Sequence, residues 1–160
     1  MTKKVWYAPN KFESYGEEEI KAVEACLRDG WLAGFGDRTI EFEKRVADLF
    51  GKKTGLFVNS GSSAILLGLC ALDLPKGSEV VTPACGFATT VAPLMQLGLK
   101  PVFCDVGVDS YVPTVEQLMK VVTPETKCLI IPNLIGNIPD WEAIRKAFPD
   151  LILFEDSADT

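Results

Sequence analysis

The sequence predicts an α/β fold, a three-layer arrangement in which a mostly parallel sheet is covered by helices on both faces. Three observations predict it. Short apolar runs recur from about residue 56 to the end of the chain. Helical patterns separate them, which is the rhythm of strand–helix–strand units. Hydrophobic residues make up 48% of the 160 positions and charged residues 24%, a composition that supports a true core.

The elements follow in order. Ser14-Tyr15-Gly16-Glu17 fits a capping box and opens a helix through about Asp29, closed by Gly30. Ile20, Val23 and Leu27 give that helix a stripe expected to be buried. A glycine-rich turn, Gly30 to Gly36, leads to a second amphipathic helix from about Thr39 to Phe50, with Phe42, Val46 and Leu49 expected to face inward. Leu56-Phe57-Val58 reads as a short buried strand, and Ser62 to Leu72 as a helix apolar on most faces. Glu79 to Thr82 is a strand and Ala88 to Leu97 a helix, although Pro93 conflicts with a helix interior. Pro101 to Cys104 is a strand. Thr114-Val115-Glu116-Gln117 is a second capping box, heading a helix to about Val121. Lys127 to Ile131 is a strand, Asp140 caps a helix to Phe148, and Leu151 to Phe154 is the last strand. No repeat, low-complexity tract or linker interrupts this pattern.

Composition excludes several chemistries. The net charge is −6, so the chain has no general attraction for nucleic acid or anionic membrane. It contains no histidine, so no Ser-His-Asp or Cys-His arrangement and no histidine-based zinc site can be built from it. Cys26, Cys70, Cys85, Cys104 and Cys128 form no CxxC pair and sit mostly in apolar runs. They read as reduced, buried small hydrophobes, which fits a cytoplasmic protein. The N-terminal residues lack the apolar stretch of a signal peptide. The longest apolar run falls far short of the ~18 residues of a membrane span.

Ligands of open α/β sheets bind outside the carboxyl ends of the strands, and three such ends carry unusual residues. Asn59-Ser60-Gly61-Ser62-Ser63 lies between a strand and a helix. Gly61 permits close backbone approach, the serines offer hydroxyls, and the helix start offers free N–H groups. That is a phosphate cradle in physical terms, although an ordinary serine N-cap has the same sequence. Phe87 follows Gly86 at a loop-to-helix junction, where its ring suits a flat ligand or simply the core. Glu155, Asp156 and Asp159 place three acids within five residues at the end of the last strand. They suit a cation or a ring N–H, or solvent. Together the cradle, the aromatic and the acid suit pyridoxal or pyridoxamine phosphate (PLP or PMP). The phosphate needs donors, the ring needs an apolar face, and the pyridine nitrogen needs a carboxylate to keep it protonated.

At this point the sequence resembles the DegT/DnrJ/StrS family of sugar aminotransferases, which have the fold-type-I PLP-dependent transferase architecture. The resemblance runs from Gly30-Trp31-Leu32 to the end. Its anchors are residues Phe35 to Glu43, Asn59 to Ala64, Lys76 to Pro83, Pro101 to Val106 and Glu155-Asp156. It implies that Gly61 and Ser62 hold the cofactor phosphate, that Phe87 stacks on the ring, and that Asp156 pairs with the pyridine nitrogen. Asp159 falls where family aminotransferases usually carry a glutamine near the ring hydroxyl. Ser60 to Ala64, Gly86 to Val91, Gly136-Asn137 and the Asp156/Asp159 pair look more like the PMP-dependent 3-dehydrases of 4-keto-6-deoxy nucleotide sugars. Asn133 departs from the histidine of many members.

The resemblance also implies an organisation. Residues 1–50 form an N-terminal helical segment and residues 51–160 the first part of the cofactor-binding large domain. The rest of that domain and a small C-terminal domain lie outside the chain. So does the position that carries the Schiff-base lysine of an aminotransferase or the histidine of a dehydrase. Transamination and 3-dehydration therefore both stand, with a keto nucleotide sugar as substrate, a homodimer as the complete assembly, and no metal. The chain alone is not expected to complete a catalytic cycle. Two other readings are a non-catalytic phosphate-ligand-binding domain and an inactive truncated chain. A nicotinamide oxidoreductase is disfavoured, because the first strand–helix turn lacks GxGxxG. Alone, the chain would expose sheet edges and apolar faces, so it is expected to be poorly soluble or self-associated. Light scattering and denaturant unfolding check this: a monodisperse, cooperatively folding monomer would contradict it.

Overall fold

The computed structural model of the protein describes residues 15–160. The chain divides into two compact units, Met1–Phe57 and Val58–Thr160.

Among the described residues, the first unit contains two helices, α1 (Glu17–Asp29) and α2 (Asp37–Leu49). Gly16 heads α1, and its N–H donates to the Glu19 carboxylate at 2.7 Å. Glu17, Glu18 and Glu19 lie at the positive end of the helix dipole. The expected capping residue Ser14 lies outside the described residues. Gly30 closes the helix in the left-handed conformation (φ 73°), as expected from glycine at that position. The stripes, however, are not buried. Ile20, Val23, Leu27, Phe42 and Leu49 are all exposed, Leu49 at 78%, and Val46 is half-buried. An amphipathic pattern says which face calls for cover, but burial needs a second surface, and the described residues of this unit supply none for these side chains. The expected strand at Leu56-Phe57-Val58 is also absent. A strand exists through its ladder, and the Phe57 N–H donates instead to the Glu43 carboxylate at 2.7 Å. The Phe57 ring meets that of Phe42 edge-on, with centroids 5.3 Å apart.

The second unit is the sheet. It begins with α3 (Gly61–Ala71) and continues as β1 (Glu79–Pro83), α4 (Ala88–Gln96), β2 (Lys100–Cys104), α5 (Val115–Met119), β3 (Thr126–Pro132), α6 (Trp141–Ala147) and β4 (Ile152–Asp156). A single 3-10 turn, Leu134–Gly136, follows β3. The strand order is β2-β1-β3-β4, and every pairing is parallel. Successive residues of the central strands feed opposite faces. Val80, Cys128 and Ile130 join Ile65 and Leu69 of α3 and Leu94 of α4 in one core. Val81, Leu129 and Ile131 join Leu118 of α5 and Ile144 of α6 in the other. The three expected layers are thus present. Gly68 is small for a reason: a Cβ there would lie 2.7 Å from the Phe154 ring, so α3 could not approach β4 as closely.

Local chemistry sets the boundaries. Pro93 stays inside α4 and is buried. It removes one intrahelical donor, and the helix ends three residues later, with the Leu97 N–H returning to the Pro93 carbonyl at 3.0 Å. The Thr114–Gln117 capping box forms in both directions, at 2.8 and 3.3 Å. Helix α5 ends at Met119, short of the expected Val121, because the N–H groups of Val121 and Val122 both close on the Leu118 carbonyl. Asp140 caps α6 through the Ala143 N–H at 2.9 Å. β4 runs on to Asp156, so Glu155 and Asp156 are its last residues and pair with Ile131 and Pro132. All five cysteines are free. Burial pushes the Cys104 thiol up to about 11 and that of Cys128 to about 12, so both stay protonated. Cys70 and Cys85 are exposed, against the expectation of burial, since Cys70 lies on the outward side of α3 and Cys85 in a loop.

Glu79 ties the amino ends of three strands. It is 8% exposed, receives Lys100 Nζ at 2.7 Å from β2, and receives the Thr123 hydroxyl at 2.6 Å just before β3. The Lys100 bond, then that of Thr123, holds its carboxyl below the ordinary value of 4.5. A depressed carboxylate contributes stability that is present above the unfolded value and lost as pH falls through the folded one. Glu79→Gln is therefore expected to flatten the loss of thermal stability below about pH 4.5, measured as the unfolding midpoint against pH.

Candidate functional site

Strand order places the site. From β1 the chain steps outward to β2 on one side, and from β3 it steps outward to β4 on the other. The reversal lies between the adjacent strands β1 and β3, and a crevice opens at such a point, outside their carboxyl ends. A cavity of about 190 Å³ sits there, lined among others by Thr82, Pro83, Gly86, Phe87, Thr90 and Pro132.

Phe87 is the residue that heads α4, in extended backbone conformation. Its ring is 70% exposed at this cavity, so it is not a core phenylalanine. Three residues on, Thr90 is buried and its hydroxyl donates to Asp156 Oδ2 at 2.8 Å. Asp156 Oδ1 accepts the Ala158 N–H at 3.3 Å. The Asp156 carboxylate, 9% exposed, is thereby anchored to the helix that presents Phe87. Sequence reasoning assigned no role to Thr90. The available signal was a threonine one turn after an aromatic at a helix start, facing an acid at the end of a strand.

Gly61 and Ser62 form the first turn of α3, where the leading N–H groups have no acceptor within the helix. Ser60 caps this helix, accepting the Ser63 N–H at 3.2 Å, and the Ser63 hydroxyl donates to Asn59 Oδ1 at 2.7 Å. Space beside Gly61 is open, with no atom within 4 Å of where a Cβ would stand. Helix α3 packs against α4 on the same face of the sheet, but Gly61 and Ser62 do not line the cavity described above.

Asp159 lies elsewhere. Its Oδ2 accepts the Ile135 N–H at 3.0 Å, on the turn that follows β3. Asn133, just before that turn, is 2% exposed. Its side-chain Nδ2 donates to Glu155 Oε1 at 2.6 Å and Ser157 Oγ at 3.3 Å. Asn133 Oδ1 is buried with no partner among the described residues, a state that ordinarily costs about 1–3 kcal/mol. The structure thus places Phe87 and Thr90 at one cavity, with Asp156 tied to it through the Thr90 hydroxyl, while Asn133 and the Asp159–Ile135 contact join the ends of β3 and β4 separately. No group of three or more potential metal ligands occurs among the described residues.

An open parallel sheet with this reversal, and with an anchored acid and an exposed aromatic at its carboxyl edge, defines an α/β domain of the fold-type-I PLP-dependent transferase class. The chain belongs to the DegT/DnrJ/EryC1/StrS aminotransferase family, which it matches over residues 13–160. It is 33% identical to the GDP-4-keto-6-deoxy-D-mannose 3-dehydratase of Escherichia coli O55:H7, over 95% of this chain and 41% of that protein. It is also 33% identical to the dTDP-4-dehydro-2,3,6-trideoxy-D-glucose 4-aminotransferase of Saccharopolyspora spinosa, over 89% of this chain and 38% of that one. Among solved structures, the E. coli GDP-4-keto-6-deoxy-D-mannose-3-dehydratase with bound hydrated PLP superposes with a TM-score of 0.85. The two are 34% identical, and the match covers 94% of this chain and 40% of that one. The chain therefore spans about 40% of the length of these relatives.

Thr90→Val keeps the shape of the side chain but removes the donor to Asp156. We expect a loss of about 1–3 kcal/mol of stability, with Thr90→Ser retaining most of it, measured by urea unfolding.

Proposed function

We propose that the whole protein is a PLP- or PMP-dependent enzyme acting on a keto nucleotide sugar in deoxy- or amino-sugar biosynthesis. Its reaction is either transamination or removal of the 3-hydroxyl from a 4-keto-6-deoxy sugar. The observation that carries this reading is the bond from Thr90, which lines the crevice with the exposed Phe87, to the nearly buried Asp156 carboxylate at the end of β4. The relatives named above include both a 3-dehydratase and an aminotransferase.

The residues present fit the cofactor. At the head of α3, Gly61 and Ser62 offer N–H groups and a hydroxyl to a phosphate, and the open space beside Gly61 lets it approach the backbone. Phe87 offers its ring face to a flat heterocycle. Asp156, oriented by Thr90, would hold a proton on the pyridine nitrogen. The family resemblance would put Asp159 near the ring hydroxyl, although its Oδ2 here accepts the Ile135 N–H and it does not line the Phe87 cavity. When bound, the cofactor supplies an electron sink for charge developing on the carbon next to its amino group. A second copy of the chain and a cytoplasmic setting belong to the same reading. Residues 1–50 would be its helical N-terminal segment and 51–160 the first part of its cofactor-binding domain.

The test adds PLP or PMP to the whole protein and follows near-ultraviolet and visible absorbance. A saturable spectral change is expected. With a keto nucleotide sugar and an amino acid donor, product analysis then separates transfer of an amino group from loss of the 3-hydroxyl. Asp156→Ala is expected to lower kcat/KM by about a hundredfold or more, as loss of a fixed electrostatic partner does. The absence of any cofactor signal would leave a non-catalytic phosphate-ligand-binding domain as the better reading.

A further inference from the structure

We propose that Asn133 is a positioning residue for Asp156, clasping the ends of β3 and β4 so that the acid is held in one place; the inference rests on the cofactor reading above. Four observations carry it. First, the Asn133 N–H donates to the Asp156 carbonyl at 2.9 Å, the last main-chain bond between the β3 and β4 ends, and so fixes the main chain at the acid itself. Second, the Asn133 side chain grips the residues on either side of that acid, Glu155 at 2.6 Å and Ser157 at 3.3 Å. Third, Asn133 Oδ1 is buried without a partner. A buried amide that leaves its carbonyl unsatisfied weakens the fold where an apolar side chain would not, so packing alone does not account for it. Fourth, Ile135, two residues on, adopts a left-handed conformation (φ 53°, ψ 37°) that β-branched residues rarely accept. Asp159 holds it there through the Ile135 N–H at 3.0 Å. Both contacts run in the same direction across the same pair of loops, each with its donor at the β3 end and its acceptor at the β4 end. Backbone strain that is held by a second cluster of this kind is characteristic of functional sites.

The chemistry required at position 133 is an N–H donor facing the Glu155 carboxylate. Asn133→Asp preserves shape but replaces that donor with a second carboxylate. Asn133→His retains a ring N–H. The experiment uses the whole protein and measures the dissociation constant for PLP by absorbance titration, beside the thermal midpoint of the cofactor-free protein. We expect Asn133→Asp to weaken PLP binding at least tenfold and to shift the absorbance maximum of what remains bound. We expect Asn133→His to bind within about threefold of the parent. Should Asn133→Asp fail to fold, the histidine variant decides alone: near-parental binding and spectrum support the clasp, and loss of binding overturns it. PLP binding by Asn133→Asp with parental affinity and spectrum also overturns it. A parent protein that does not bind PLP defeats the cofactor reading instead, so the two failures are distinguishable.

Discussion

The parallel pairing of β1 with β3 is the constraint on which the rest of the sheet depends. These strands are not consecutive, so β2 must fall on one side of the pair and β4 on the other. That single adjacency creates the reversal of direction and the crevice beside it. It also buries both strands on both faces, which is why Val80, Val81 and Leu129 to Ile131 are fully enclosed. The strands end in Pro83 and Pro132, and the last main-chain bonds at the crevice are given by the residues that follow, the Ala84 N–H to the Cys104 carbonyl and the Asn133 N–H to that of Asp156. Beyond them side chains take over as the partners across the gap.

Those side chains build outward from the sheet in two steps. Thr90 reaches from α4 to Asp156, joining a helix on one face to the strand at the edge. Asn133 and Asp159 then join the loop after β3 to the segment after β4. The first contact orients a carboxylate, and the second sets the main chain on which it sits. The amino ends of the strands are tied differently, by the Glu79, Lys100 and Thr123 cluster, which is an ion pair with one exposed member. One end of the sheet is thus held by charge pairing, while the other is held by hydroxyl and amide donors to carboxylates.

Much of this was legible in the sequence, for identifiable reasons. Strands β1 to β4 and helices α3 to α6 were readable because each apolar run had to be covered, and caps such as Thr114 and Asp140 act within one turn of chain. The failures share one cause, dependence on partners distant in sequence. Leu56 to Val58 has strand composition, yet the Phe57 N–H finds Glu43 instead of a ladder. Ile20, Val23 and Leu27 have helical spacing, yet spacing does not say whether a covering surface is present. Position at a strand end or helix start brings out Phe87 and the acids at 155, 156 and 159, and the resemblance singles out Asp156 among them. Thr90 gives only a weak signal, one turn after Phe87, because its acid lies 66 residues on, and Asn133 meets its partners only once β3 and β4 pair.

Asp156 presents an electrostatic problem that its surroundings leave unsolved. Its carboxylate is nearly buried and accepts hydrogen bonds from Thr90 and Ala158. Among the described residues it takes part in no ion pair. Glu155 and Asp159, its near neighbours, add charge of the same sign, and the chain as a whole is acidic. A buried carboxylate in that setting calls for a cation or a strongly polarised N–H, because hydroxyl and amide donors offset only part of its desolvation. No lysine, arginine or metal cluster among the described residues meets that need. A protonated ring nitrogen would meet it, and the exposed Phe87 face beside the same cavity suits the ring that would carry one. Under the cofactor reading proposed above, the nearly buried acid and the exposed aromatic are therefore complementary, the one to a ring N–H and the other to the ring's face.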